Sequence, residues 1–150
     1  MLHTEPLMRL SAELDAPQTI GQTPFGTRSI MVMKRGAFSG AKLRGDVLPG
    51  GGDWILARQD GVFQLDIRLT LRTDDDALIY VVSRGMLDIA PEIRQRIRDG
   101  ETIGASAYYF RTMLTFETGT EKYLWLNRLI AAGVGTRTPT GMSTEVFALK

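Results

Sequence analysis

The chain has no cysteine and a single histidine, His3. Without thiols there is no disulfide framework and no redox dithiol. With one imidazole the ordinary structural and catalytic zinc ligand sets cannot be assembled. The same scarcity removes the Ser-His-Asp and Cys-His nucleophile systems. Charge of one sign is missing too. Lysine and arginine total 18 against 17 aspartates and glutamates, a net charge of +1. That leaves little long-range attraction toward nucleic acid or an anionic membrane. No apolar run reaches bilayer-spanning length. The opening residues Met1-Leu2-His3-Thr4-Glu5-Pro6 lack the basic and apolar regions of a secretory signal. There is no Walker motif, and no dinucleotide fingerprint between a strand and a helix. The expectation is a protein compatible with the cytoplasm, without metal or organic cofactor, whose partner is a small molecule rather than nucleic acid or membrane. Any proton transfer falls to carboxylates, tyrosines, lysines or arginines.

What is present has the balance of one globular domain over residues 1–150. Apolar residues make up 43% and charged residues 23%, enough for a hydrophobic core and unlike a disordered chain. No repeat, low-complexity stretch or linker interrupts it, and the glycines are scattered as turn punctuation. Most segments between them read as strands. Residues 63–73 alternate strictly: Phe63, Leu65, Ile67, Leu69 and Leu71 on one face, Gln64, Asp66, Arg68, Thr70 and Arg72 on the other. Thr73-Asp74-Asp75-Asp76 then turns the chain, and residues 77–84 return as a hairpin partner. Residues 106–117 repeat the alternation, with Tyr108, Phe110, Thr112, Leu114 and Phe116 opposite Tyr109, Arg111, Met113, Thr115 and Glu117. Further strands are predicted at 7–14, 28–35, 42–48, 54–58 and 145–149. The run 123–132 is ambiguous by periodicity, and the hairpin rhythm around it predicts a strand. A single helix is predicted from Pro91 to Gly100, its stripe of Ile89, Ile93 and Ile97 suited to sealing the end of a barrel. Frequent short strands with turn glycines predict an all-β fold, a barrel or a sandwich.

Several residues invite a functional reading, each beside a plainer one. In Pro49-Gly50-Gly51-Gly52-Asp53-Trp54 the glycines suit a turn or bulge, while Asp53 and Trp54 suit either a site, as carboxylate and flat wall, or a cap and core packing. Asp66 and Arg68 share one strand face, and Tyr109 and Arg111 share another. Facing the interior, they supply a polar constellation in which Arg68 and Arg111 clamp an anion. Facing water, they are surface groups of small energetic consequence, which the pattern alone favours. Tyr123, Trp125 and Asn127 share a face if their run is a strand, giving a stacking wall with an amide or simply core. Asp74-Asp75-Asp76 lacks the later glycine and glutamate of a calcium loop and reads as a solvated turn.

Taken in order, Gly26-Thr27-Arg28, Gly36-Ala37-Phe38-Ser39-Gly40, Leu43-Arg44-Gly45-Asp46-Val47-Leu48-Pro49-Gly50-Gly51-Gly52-Asp53-Trp54, Asp60-Gly61, Leu65-Asp66-Ile67-Arg68, Tyr108-Tyr109-Phe110-Arg111 and Tyr123-Leu124-Trp125-Leu126-Asn127 resemble one bacterial and fungal family, domain-of-unknown-function family 3237, over nearly the whole chain. The resemblance implies a calycin-like antiparallel β-barrel with a short helix that forms homo-oligomers. It also implies that Asp53, Trp54, Asp66, Arg68, Arg111, Trp125 and Asn127 belong to a family pattern, and it favours an interior position for Asp66, Arg68 and Arg111. The family's Asp-Asp-Gly turn is here Asp-Asp-Asp. No general reaction comes with the resemblance.

The leading functional expectation is a metal-independent isomerase or lyase acting on an oxygenated cyclic or aromatic metabolite inside the barrel. Asp53 or Asp66 is the general base and Tyr109 a proton donor. Arg68 and Arg111 hold a developing enolate or a carboxylate, Trp54 and Trp125 flank the ring, and Asn127 adds a hydrogen-bonding amide. The alternatives are a carrier or sensor that binds without converting, and a structural or accessory subunit with a solid interior.

Overall fold

A computed structural model describes residues 1–150. Ten strands dominate it: β1 (Thr4–Leu14), β2 (Gln18–Thr23), β3 (Gly26–Ser39), β4 (Arg44–Val47), β5 (Gly52–Ala57), β6 (Phe63–Thr73), β7 (Leu78–Asp88), β8 (Tyr109–Glu117), β9 (Ile130–Arg137) and β10 (Gly141–Leu149). The helix α1 (Pro91–Arg98) follows β7, and a 3-10 helix, Glu121–Arg128, follows β8. Neighbours run β1-β10-β9-β8-β7-β6; β4 and β5 both lie between β6 and β3, and β3 returns to β1. Because β4 and β5 share one position, the sheet closes as an eight-stranded antiparallel barrel with no free edge in its wall. β2 stands outside the wall as a hairpin arm on β3.

The alternation seen in the sequence decides which face turns inward. Leu65, Ile67, Leu69 and Leu71 of β6 are buried, as are Phe110, Leu114 and Phe116 of β8. Glycines admit bulky neighbours: a Cβ on Gly135 would lie 2.4 Å from the ring of Phe110. The middle of the barrel is therefore solid. The break between β4 and β5 uses the glycine run structurally. Gly50 has φ +100°, and a Cβ on Gly51 would meet the Arg68 carbonyl oxygen at 2.3 Å.

Each end of the barrel has its own cover. At one end Tyr123 and Leu126 of the 3-10 helix are buried; the Tyr123 hydroxyl donates to Asp75 Oδ1 at 2.8 Å and Lys122 Nζ donates to Asp75 Oδ2 at 2.8 Å. At the other end α1 covers the opening, with Ile89 and Ile97 buried and Ile93 packed against the core. The predicted isoleucine stripe is thus the sealing face.

Two differences from the sequence reading concern backbone. The run expected as a strand over 123–132 is the 3-10 helix, and the next strand begins only at Ile130. Its buried residues, Tyr123 and Leu126, are three apart, the 3-10 repeat, and the open barrel end supplies the burial that selects it. β2 was not anticipated, because its polar, mostly exposed residues carry no apolar alternation.

Candidate functional site

Beneath α1 the barrel end holds a cavity of about 210 Å³. Its apolar walls come from several strands: Met31 of β3, Ile55 of β5, Phe63 of β6 and Leu87 of β7, with Ile97 of α1 as part of the roof. Each strand residue stands on the inward face of its strand, where the sequence alternation puts it. Three arginines join them. Arg94 and Arg98 lie four apart on α1, hence on one side of the helix, and Arg137 ends β9 in phase with the inward Ala131, Gly133 and Gly135. None of the three forms a salt bridge, although ten such pairs occur elsewhere in the chain. The Arg94 guanidinium stacks 5.1 Å from the centre of the Phe63 ring, and its Nε is buried without a hydrogen-bond partner. Burial, then the charge of Arg98, pushes the Arg94 pKa down. Burial pushes Arg137 down as well, against the opposing attraction of Asp53.

Asp53 does not line the cavity; it stands opposite Met31 in the β3–β5 register and is 5% exposed. The β5–β6 ladder pairs Asp53 with Ile67 and Leu56 with Gln64, with no pairing between these two points. There Asp53 Oδ1 accepts the backbone N–H of Asp66 at 3.0 Å. Burial pushes the Asp53 carboxyl up to about 6; the Asp66 N–H and the charge of Arg137 oppose the rise. Tyr108 adds a third polar group on this side, its hydroxyl accepting the Arg137 backbone N–H at 2.8 Å. A carboxyl of raised pKa thus stands beside Arg137, one of three arginines without a salt bridge that border the apolar cavity.

Most of the other sequence candidates stand elsewhere. Asp66 and Arg68 face outward, which corrects the interior position implied by the family resemblance. Asp66 pairs with Arg68 at 3.7 Å and with Arg84 at 3.4 Å on the barrel surface. Their strand has only one apolar face, and the core takes it. Arg111 is outward for the same reason; it donates to the Phe110 carbonyl at 2.9 Å and lies 5.3 Å from the ring of Tyr109, itself 55% exposed. Trp54 also points outward, next to the inward Asp53 on one strand. Trp125 belongs to the 3-10 helix at the opposite end, with Lys42 5.3 Å from its ring. Asn127 there accepts the Thr118 N–H at 2.9 Å and donates to the Thr118 carbonyl at 2.9 Å, fastening the lid to the end of β8. Of the candidate site residues singled out in the sequence, only Asp53 stands near the cavity; it does not line it, but its register partner Met31 and the neighbouring charge Arg137 do. Arg94, Arg98 and Arg137 were missed as site residues. The signals for them were the i, i+4 spacing beside Ile93 and Ile97, and the parity of Arg137 with three small inward residues.

Comparison with known proteins gives relatives of the same architecture. A UPF0311 protein of Clostridium acetobutylicum is 33% identical over 149 residues, covering 99% of this chain and 94% of the relative. A crystal structure of a β-barrel-like protein from Acinetobacter baumannii matches with a TM-score of 0.86 and 32% identity, covering 100% of this chain and 97% of that one. A structure described as an enzyme from Penicillium herquei, at 19% identity, shares the fold with a TM-score of 0.77 over 99% of this chain and 95% of its own. A family model described as protein of unknown function (DUF3237) matches residues 2–149, and the chain belongs to that family.

Proposed function

We propose that the α1-covered cavity is the site of a small-molecule enzyme, an isomerase or lyase that moves a proton with Asp53 as its base. The substrate is an oxygenated cyclic or aromatic compound small enough for one end of the barrel. The observation that supports this reading is a buried carboxyl, Asp53, beside an arginine, Arg137, that lines an apolar cavity. A carboxylate whose basicity is raised toward neutrality removes a proton from carbon better than an ordinary one, and an adjacent guanidinium stabilises the enolate that forms. Asp53 Oδ1 is taken by the Asp66 N–H, and no protein donor reaches Oδ2, which leaves that oxygen for chemistry.

The test is solvent exchange. Cyclic and aryl ketones with acidic C–H bonds, incubated with the protein in deuterium oxide, are followed by NMR. Exchange above the buffer rate, reduced by about 10²-fold or more in Asp53→Asn, is the expected result. Exchange undiminished in Asp53→Asn sinks the mechanism.

A second reading, a barrel that binds without converting, is favoured by one specific contact. The Asp53–Asp66 bond fills a gap in the β5–β6 ladder, so this carboxylate has structural work of its own. Tight binding of a ligand that is recovered unchanged supports it.

A further inference from the structure

The charge around the cavity narrows the class of ligand. The geometry points to an anion anchor: Arg94, Arg98 and Arg137 together hold the carboxylate or phosphate head of a compact, otherwise apolar molecule whose body packs against Met31, Ile55 and Phe63. This rests on the reading of the α1-covered cavity as the binding site, and it specifies what enters.

The argument is one of missing counter-charge. Three guanidinium groups border one cavity, and none has a carboxylate within salt-bridge distance. On the same helix Arg96, which faces away, is paired with Glu101, so α1 does satisfy an arginine where only structure is involved. Arg94 and Arg137 are partly withdrawn from solvent and Arg98 stands exposed at the rim; like charges gathered at such a site are unfavourable unless an anion completes it. A buried donor without an acceptor, Arg94 Nε, carries the same implication. Phe63 braces the Arg94 guanidinium plane at 5.1 Å, which holds its donors in a fixed direction and reduces the ordering required on binding. Asp53 supplies one negative charge beside Arg137 and leaves the cluster net cationic when ionised.

Size and lining define the rest of the molecule. About 210 Å³ lies below the roughly 300 Å³ at which ordinary drug-sized sites begin. One ring or a short branched chain fits. Apart from the arginines the walls are mainly aliphatic and aromatic, so the body of the ligand gains by apolar burial while its head gains by charge-assisted hydrogen bonds.

The experiment is calorimetric titration of the full chain with benzoate, phenyl phosphate, benzamide and benzyl alcohol, repeated on Arg94→Gln and Arg98→Gln. Both substitutions lie on α1, and circular dichroism checks that each variant is folded. The anchor predicts that benzoate or phenyl phosphate binds about tenfold or more tightly than the neutral pair. It also predicts that each helix variant weakens benzoate or phenyl phosphate by a larger factor than benzamide, so that most of the preference is lost. Benzoate above phenyl phosphate identifies a carboxylic acid, and the reverse identifies a phosphate monoester; either order supports the anchor. Neutral compounds binding as tightly as the anions, none of the four binding, or variants weakening benzamide and benzoate alike overturn it. Asp53→Asn separates this inference from the proposed reaction. Anion preference retained while no ketone undergoes exchange leaves the anchor standing and the enzyme reading refuted. Exchange that depends on Asp53 without any anion preference does the opposite.

Discussion

Asp53 and Asp66 are joined through the barrel wall: the Asp53 carboxylate, on the inner face, accepts the backbone N–H of Asp66, whose own side chain points to solvent. Two aspartates that look equivalent as candidate bases therefore have opposite environments. One is desolvated and its pKa raised to about 6; the other sits in an exposed pair with Arg68 and Arg84.

The first prediction follows from that contrast. A carboxyl with a folded pKa near 6 and an ordinary value of 3.8 holds its proton more tightly in the folded than in the unfolded chain. Its contribution to stability is full below pH 3.8 and is lost as pH rises through about 6. The loss is on the order of 3 kcal/mol across that window. Urea unfolding between pH 4 and pH 8 is expected to show this decline in wild type and a flatter profile in Asp53→Asn. An unchanged slope in the variant means that Asp53 titrates as an ordinary surface acid.

The surface pair gives the complementary expectation. Asp66→Asn and Arg68→Ala each change unfolding free energy by no more than about 1 kcal/mol, because the groups are well exposed. Neither alters benzoate affinity measurably. A large effect of either on binding would return Asp66 or Arg68 to the site.

Gly135 tests the packing of the barrel middle. An alanine there drives its Cβ to within 2.4 Å of the Phe110 ring, so the ring or the strand must move. Gly135→Ala is expected to destabilise by about 1–3 kcal/mol, read as a lower thermal midpoint. Gly135→Ala combined with Phe110→Leu recovers part of that loss if the ring is the obstruction.

The turn after β6 carries the one non-glycine residue with positive φ, Asp76 at +66°. It stands where the family resemblance leads one to expect glycine. A left-handed conformation costs an ordinary residue roughly 1–2 kcal/mol and an aspartate less. Asp76→Gly should therefore raise stability by up to about 1 kcal/mol, measured by chemical denaturation. A clear fall in stability shows that the Asp76 side chain does something the turn needs.

Asp75, beside it, closes the opposite barrel end. Hydrogen bonds from Lys122, Thr73 and Tyr123 hold its pKa well below the usual carboxylate range. Stabilisation of this kind is present above the ordinary carboxylate pKa and is lost as pH falls through the depressed one. Asp75→Asn is expected to lower stability at neutral pH and to weaken acid destabilisation. Faster hydrogen exchange in residues 121–128 would locate the effect in the lid.

The strands and the one α-helix were largely legible because alternation and capping are local properties. β6 reads off the sequence with the bounds it has in the fold, and the Ile89-Ile93-Ile97 stripe announces a sealing helix. The 3-10 helix was not legible, since Leu124-Trp125-Leu126 satisfies more than one period and only an open barrel end supplies the burial that decides it. The site was legible at a single residue, Asp53. Arg94, Arg98 and Arg137 lie more than forty positions from it; local spacing pairs Arg94 with Arg98 on one helix side, but only closure of the sheet brings Arg137 to them.

By itself the amino-acid sequence determined that this is an all-β chain with one apolar face per strand and one covering helix, and that it carries no cysteine and a single histidine. Tertiary structure alone decided that the apolar faces close into a barrel. It also turned Asp66, Arg68 and Arg111 to solvent and set the charge of Asp53 beside Arg137, which lines the cavity under α1. The reason is physical: alternation specifies two faces but not which long-range partners share the inner one, and only closure of the ladder brings residues distant in the chain to one cavity.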